Sequence, residues 1–174
     1  MEEKQMAKKN SMMKYAGYVA ILLALAAIGF MFAPAIVYGT GDNPTTFTAF
    51  QTMFGYTERI QIGGFYRDVQ HFDFSFMVLL TLILIAAGIV LSVMKMLVGG
   101  KSKLFTLITT ACFIAAGVLL FMVIPLSVPH VYNEGSWAQY SLSKDNMTLG
   151  WGAIVAAICS LIAGSCKLGE FLLG

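Results

Sequence analysis

The chain has 174 residues, of which 58% are hydrophobic and only 11% are charged, and its formal net charge is +2. A soluble domain has roughly 45–50% apolar and about 25% charged residues, so charge this sparse cannot cover a water-facing surface. The small net charge of mixed sign also argues against nucleic-acid binding. The composition therefore predicts a membrane protein, and the length fits a single domain over residues 1–174.

Four uncharged stretches are long enough to cross a hydrocarbon core, which needs about 20 apolar residues. The uncharged stretches run over Tyr15–Tyr38, Phe74–Met94, Leu104 to about Val128, and Met147–Cys166. They predict helices over about 15–38, 74–96, 104–128 and 147–166, joined by outer loops 39–73 and 129–146. A signal peptide is the alternative for the first stretch, but its apolar run exceeds the usual length of about 7–15 residues. Pro34 and Pro125 predict bends in the first and third helices. None of the uncharged stretches holds an ionisable residue, which disfavours proton-coupled transport.

The basic residues set the predicted orientation. Three of them fall in the outer loops, namely Arg59, Arg67 and Lys144. Eight fall in the N-terminal tail, around the short turn 98–102, and in the C-terminal tail: Lys4, Lys8, Lys9, Lys14, Lys95, Lys101, Lys103 and Lys167. The positive-inside rule then places both termini in the cytoplasm and the protein in the plasma (cytoplasmic) membrane. So short a cytoplasmic turn leaves no room for a nucleotide-binding domain.

The first outer loop begins with a predicted surface helix. Thr45 or Thr46 can cap a helix whose apolar side is formed by Phe47, Phe50, Met53 and Phe54. Gly55 is its expected stop. Such a helix should lie on the membrane surface or over the top of the bundle.

A β-hairpin is predicted to follow, with strands 56–62 and 65–70 on either side of Gly63-Gly64. This turn places Arg59 opposite Asp68, Ile60 opposite Arg67, and Ile62 opposite Phe65. The hairpin's apolar face, formed by Ile60, Ile62, Phe65 and Val69, needs a cover from the second outer loop, the membrane or another copy. A third strand is predicted over Ser136–Leu142. The expected fold is an all-α membrane protein, a four-transmembrane-helix bundle with a small extracellular β-hairpin and a short surface helix.

Small residues recur every four positions on the predicted fourth helix, at Gly152, Ala156, Ser160 and Gly164. A weaker stripe on the first helix consists of Ala16, Ala20 and Ala24. Such stripes let helices approach closely in lipid. They are explained either by packing within one chain or by self-association.

Two histidines lie at the outer ends of the predicted second and third helices, which form an antiparallel helical pair. His71 and His130 lie close in sequence to Asp73 and Glu134, respectively. Histidine and carboxylate groups can bind zinc or respond to pH near 6.5. The spacing matches no tight metal motif, so we expect interfacial hydrogen bonds and no cofactor.

The arrangement of spans and loops resembles the claudin-like tetraspan group, with cytoplasmic termini, a longer first outer loop and a shorter second one. The first loop lacks that group's Trp and paired Cys, so no site residue carries over. The chain also resembles small four-span proteins of Gram-positive bacteria. The resemblance lies in two segments, Thr48-Ala49-Phe50-Gln51-Thr52-Met53-Phe54-Gly55 and Phe74-Ser75-Phe76. That resemblance implies a location and no activity.

Three functions fit these features. The first is a non-catalytic structural or accessory subunit of a homo-oligomer or larger membrane assembly, with the lipid bilayer and other membrane proteins as partners and neither nucleic acid nor nucleotide. The second is an oligomeric pore lined by a threonine-bearing helix. The third is a metal-dependent enzyme at the outer surface.

Overall fold

The structure is a computed structural model that describes residues 2–39, 44–98, 103–132 and 142–173, and the side chains within them apart from those of 2–14, 62, 98 and 173. Its helices are α1 (Glu2–Phe30), α2 (Ala49–Phe54), α3 (Phe76–Val98), α4 (Lys103–Phe121), α5 (Val123–Leu126) and α6 (Trp151–Leu173). Its strands are β1 (Pro34–Tyr38), β2 (Thr45–Thr48), β3 (Tyr56–Ile62), β4 (Phe65–Phe72) and β5 (Met147–Leu149).

Three of the described helices, α3, α4 and α6, are long and apolar enough to cross a membrane. The chain is therefore a membrane-embedded helical protein. Helix α1 contributes a shorter apolar stretch, Tyr15–Phe30. In the bundle, α6 packs between α1 and α4, and α3 packs against α4.

The bundle has two different ends. The strands lie where α1 and α4 end and where α3 and α6 begin, and we call this the sheet end. At the opposite end, which we call the basal end, α1 and α4 begin and α3 and α6 finish. Chain direction thus places the start of α1 and the finish of α6 at the same end of the molecule.

Two prolines decide where the first and third predicted helices stop. A proline ring clashes with the carbonyl group four residues earlier and supplies no N–H. Accordingly α1 ends at Phe30, four residues before Pro34, and α4 ends at Phe121, four residues before Pro125. The expected helix over 15–38 is wrong after Phe30, and the helix over 104–128 is interrupted at Met122 before the short α5. Pro34 ends the helix where a bend was expected, whereas Pro125 lies inside α5, which resumes one residue after the interruption at Met122.

The segment after Pro34 forms a strand that the sequence analysis assigned to a helix. β1 is the central strand of an antiparallel sheet with the order β2-β1-β5. Val37 lies opposite Thr46 of β2 on one side and Thr148 of β5 on the other. Its β-branched and aromatic residues favour this pairing. The all-α expectation is therefore wrong at this end, and residues 147–149 of the predicted fourth helix belong to the sheet.

Helix α2 exists, but its cap was misassigned. Thr48, not Thr45 or Thr46, is the N-cap: the Gln51 backbone N–H donates to Thr48 Oγ1 at 3.2 Å, and the Thr48 N–H donates to Gln51 Oε1 at 2.8 Å. This reciprocal capping box excludes Phe47, which instead lies in β2. Gly55 ends the helix as expected, with a φ of 85°.

The hairpin has the register that the sequence predicts. Arg59 lies opposite Asp68 and Ile62 lies opposite Phe65, across a turn in which Gly63 and Gly64 both have positive φ. Its apolar face is covered only at the base: Val69 is buried, whereas the Phe65 side chain is exposed. Cover of Phe65 by the membrane or by another copy stays a prediction. The Ile62 side chain lies outside the described part.

The second predicted outer loop pairs with the hairpin differently from the expectation. The predicted strand Ser136–Leu142 falls outside the described residues except for Leu142, which is not in a strand. Pro129 instead bridges Phe72 at the end of β4.

Helix α3 confirms the predicted helix over 74–96 to within two residues at each end. The turn over 99–102 also lies outside the described residues.

Candidate functional site

The predicted histidine and carboxylate residues form two separate pairs at the sheet end. His71 Nε2 lies 3.2 Å from Glu58 Oε2, and His130 Nδ1 lies 2.8 Å from Asp73 Oδ1. Glu134, the fourth expected member, lies outside the described residues. Glu58 was missed, although the hairpin register places it on the same face as His71.

These pairs lie beside a set of hydrogen bonds that join residues 128–132 to β4 and the residue after it. The His130 N–H donates to the His71 carbonyl at 3.0 Å, and the Asp73 N–H donates to the Val128 carbonyl at 2.8 Å. The Tyr132 hydroxyl accepts from the Gln70 N–H and donates to the Gln70 carbonyl. Within the described ranges, no three metal-ligating side chains converge. The arrangement fits the expected interfacial hydrogen bonding.

The small-residue stripe of α6 is occupied by other parts of the same chain. Ala156 and Ser160 are fully buried, and Ser160 Oγ donates to the Phe113 carbonyl of α4 at 2.8 Å. A methyl group built on Gly164 would lie 2.8 Å from Ile114, and one on Gly152 would lie 2.8 Å from the Ala33 backbone. On α1, Ala20 and Ala24 are buried, while Ala16 is half-buried. Of the two explanations for the stripes, this geometry favours packing within one chain.

Two close helix contacts were missed because they involve isolated glycines. A methyl group on Gly88 of α3 would lie 2.5 Å from the ring of Phe113, and one on Gly117 of α4 would lie 2.7 Å from Leu161. Gly117 has no small residue four positions away and Gly88 has only Ser92, so neither belongs to a repeat as long as the one on α6.

The threonines proposed to line a pore face the interior of this chain's own bundle. Thr106, Thr109 and Thr110 of α4 are all buried. Thr109 and Thr110 donate to the carbonyls of Phe105 and Thr106 in the preceding turn, as hydroxyls in apolar helices commonly do. These hydroxyls are therefore unavailable to water between copies.

The most unusual chemistry lies at the basal end, where two lysines meet one carboxylate. Lys95 Nζ of α3 is 2.7 Å from Glu170 Oε1, and Lys167 Nζ of α6 is 2.9 Å from Glu170 Oε2. Lys95 also donates to the Thr106 hydroxyl of α4. The nearest atom to a methyl group built on Gly17 of α1 would be Lys167 Nζ, at 3.5 Å. All four long helices thus meet here, and we call Lys95, Lys167 and Glu170 the basal cluster.

The basal cluster is largely shielded from water. The side chain of Lys167 is 1% exposed, that of Glu170 is 12% exposed and that of Lys95 is 19% exposed. Full burial of lysine is rare unless the charge is paired. Ionisable residues inside membrane helices mark functional sites more often than chance. The cluster can hold the helix ends together, and its ammonium groups can bind an anion.

Lys167 and Glu170 follow the fourth apolar stretch in the sequence, which predicts a polar tail there and not a site. Helix α6 continues to Leu173, and the apolar spans of the structure include Lys95, Lys167 and Glu170. The candidate spans therefore extend beyond the predicted uncharged stretches and carry these ionisable residues near their basal ends. The i, i+3 spacing of Lys167 and Glu170 was the available signal, since such pairs share one helix face.

No protein-family model matches this sequence, and a search of curated proteins finds no match either.

Proposed function

We propose that this protein is a non-catalytic four-span membrane protein that acts as a structural or accessory subunit of a homo-oligomer or larger assembly. Both termini would face the cytoplasm, and the sheet end would face outward. The eight basic residues assigned to the cytoplasmic side support this orientation, because the seven described ones all belong to the basal end. Four of them lie at the start of α1, and the others are Lys95, Lys103 and Lys167.

The packing of α1 supports the proposal that it forms a fourth span. Tyr15–Phe30 is short for a bilayer, since 16 residues at about 1.5 Å each cover about 24 Å of a core of about 30 Å. However, Ala20, Ala24 and Ala27 are fully buried, and α1 packs along α6. If α6 spans the membrane, the part of α1 that packs along α6 lies in the same hydrocarbon core. Exposed aromatics at both ends of this stretch, Tyr15, Tyr18 and Phe32, fit the two bilayer interfaces.

Assembly is proposed on one observation, the uncovered tip of the hairpin. Phe65 is 75% exposed and Tyr66 is 68% exposed, while Val69 nearer the base is buried. An isolated two-stranded ribbon is marginally stable, so aromatic side chains at its tip gain most from a protein partner. The α6 stripe cannot serve this purpose because the same chain already covers it.

The experiment compares Phe65→Ser/Tyr66→Ser with Gln61→Ser, an exposed control on the neighbouring strand. We expect wild-type protein in mild detergent to run larger than a monomer, and cross-linking in native membranes to give the same assembly. The double variant should remain folded and shift toward the monomer, whereas the control should not. A wild-type protein that is monomeric in detergent and gives no cross-links in membranes would refute the assembly.

A further inference from the structure

The basal cluster has an excess positive charge. Its two lysines share a single carboxylate, and neither has another acidic partner among the described side chains. Lys95 uses two hydrogen-bond donors and Lys167 uses one, fewer than a lysine ammonium group offers. A buried charge without a full counter-charge is strongly destabilising.

No other acidic side chain that the structure describes lies at the basal end. Glu2 and Glu3 are at least 14 residues ahead of Gly17 on α1, about 20 Å along the helix. The other described acids, Glu58, Asp68, Asp73 and Asp145, belong to the sheet end. Asp42 and Glu134 lie outside the described residues.

Helix dipoles compensate only part of this excess. Lys95 lies in the last turn of α3, where the partial negative charge of the helix terminus favours a cation. Lys167 lies six residues before the end of α6, beyond the last turn in which this effect acts. The more deeply buried lysine therefore gains little from its own helix dipole.

We propose that the basal cluster binds the phosphate group of an anionic phospholipid, which acts as the missing counter-ion. Lys95, the most exposed member, contacts the phosphate, while Lys167 adds positive potential from behind Glu170. A lipid phosphate fits because the cluster lies at the end of the apolar spans, at the depth of a headgroup. This proposal requires the bundle to sit in a bilayer, and it requires neither the assembly nor the proposed orientation.

The test uses the full chain in phosphatidylcholine nanodiscs, with and without added phosphatidylglycerol, and follows its melting temperature. We expect phosphatidylglycerol to raise the melting temperature of the wild type. Lys95→Gln should weaken the apparent affinity for phosphatidylglycerol about tenfold, since it removes a direct charge-assisted hydrogen bond to the phosphate. Lys103→Gln, an exposed lysine at the same end outside the cluster, should have a smaller effect. Glu170→Gln should bind phosphatidylglycerol more tightly than the wild type.

A second measurement does not depend on any variant. Mass spectrometry of wild-type protein released from an equal mixture of the two lipids should show retained phosphatidylglycerol in preference to phosphatidylcholine. Equal retention of both lipids would overturn the proposal. So would an equal loss of apparent affinity for phosphatidylglycerol in Lys95→Gln and Lys103→Gln. Stabilisation by inorganic phosphate alone in phosphatidylcholine nanodiscs would also overturn it, by showing a site for a free anion. Measuring particle size in the same samples keeps this test separate from that of assembly.

Discussion

Glu170 is the single residue on which the basal end depends most. It accepts hydrogen bonds from both buried lysines, at 2.7 and 2.9 Å. We expect Glu170→Gln to lower the free energy of unfolding by about 3–5 kcal/mol, because it leaves the buried Lys167 and the partly exposed Lys95 without a counter-charge. The loss should be smaller in phosphatidylglycerol than in phosphatidylcholine. Thermal unfolding in nanodiscs measures both effects.

Asp68→Asn is the matched control for Glu170→Gln. Asp68 also accepts from a basic side chain, with 3.0 Å between its Oδ1 and Arg59 Nε, but both partners are exposed. An exposed pair contributes at most about 1 kcal/mol. Equal destabilisation by the two substitutions would contradict the claim that the basal cluster is shielded from water.

At the scale of elements, α3 and α4 approach each other through Gly88. We expect Gly88→Ala to cost about 1–3 kcal/mol, because the new methyl group overlaps the ring of the buried Phe113. Gly29→Ala is the control on α1, where nothing lies within 4 Å of the added methyl group. It should stabilise the protein by up to about 1 kcal/mol, because alanine favours a helix more than glycine. If Gly88→Ala behaves like Gly29→Ala in chemical unfolding, this contact is wrong.

The packing of α6 gives a second prediction at this scale. Ala156→Leu adds bulk to a fully buried position, so we expect loss of folded protein. Ile158→Leu changes an exposed position two residues away and should be tolerated. Yield of monodisperse protein is the measurement. A folded Ala156→Leu protein that is only smaller in size would instead place the stripe between copies.

The sequence alone predicts the features that depend on residues close together in the chain. The Gly63-Gly64 turn fixes the hairpin register, and hydropathy locates the apolar helices. The β2-β1-β5 sheet was missed because its pairing joins Ile36 to Leu149, a contact that no local pattern encodes. The basal cluster was missed for a related reason, since it requires α3 and α6 to finish together. The misplaced cap of α2, by contrast, could have been found from Thr48 and Gln51 alone.

At the scale of the whole molecule, the central claim is a four-span topology with the sheet end outside. Accessibility of single cysteines to an impermeant maleimide tests it most directly, in a background with Cys112, Cys159 and Cys166 replaced by alanine. We predict that Gln61→Cys in the hairpin is labelled in intact cells. Ser102→Cys and Gln5→Cys should be labelled only after permeabilisation. Labelling of Gln5→Cys in intact cells would show that α1 does not span the membrane, and labelling of Ser102→Cys would reverse the orientation.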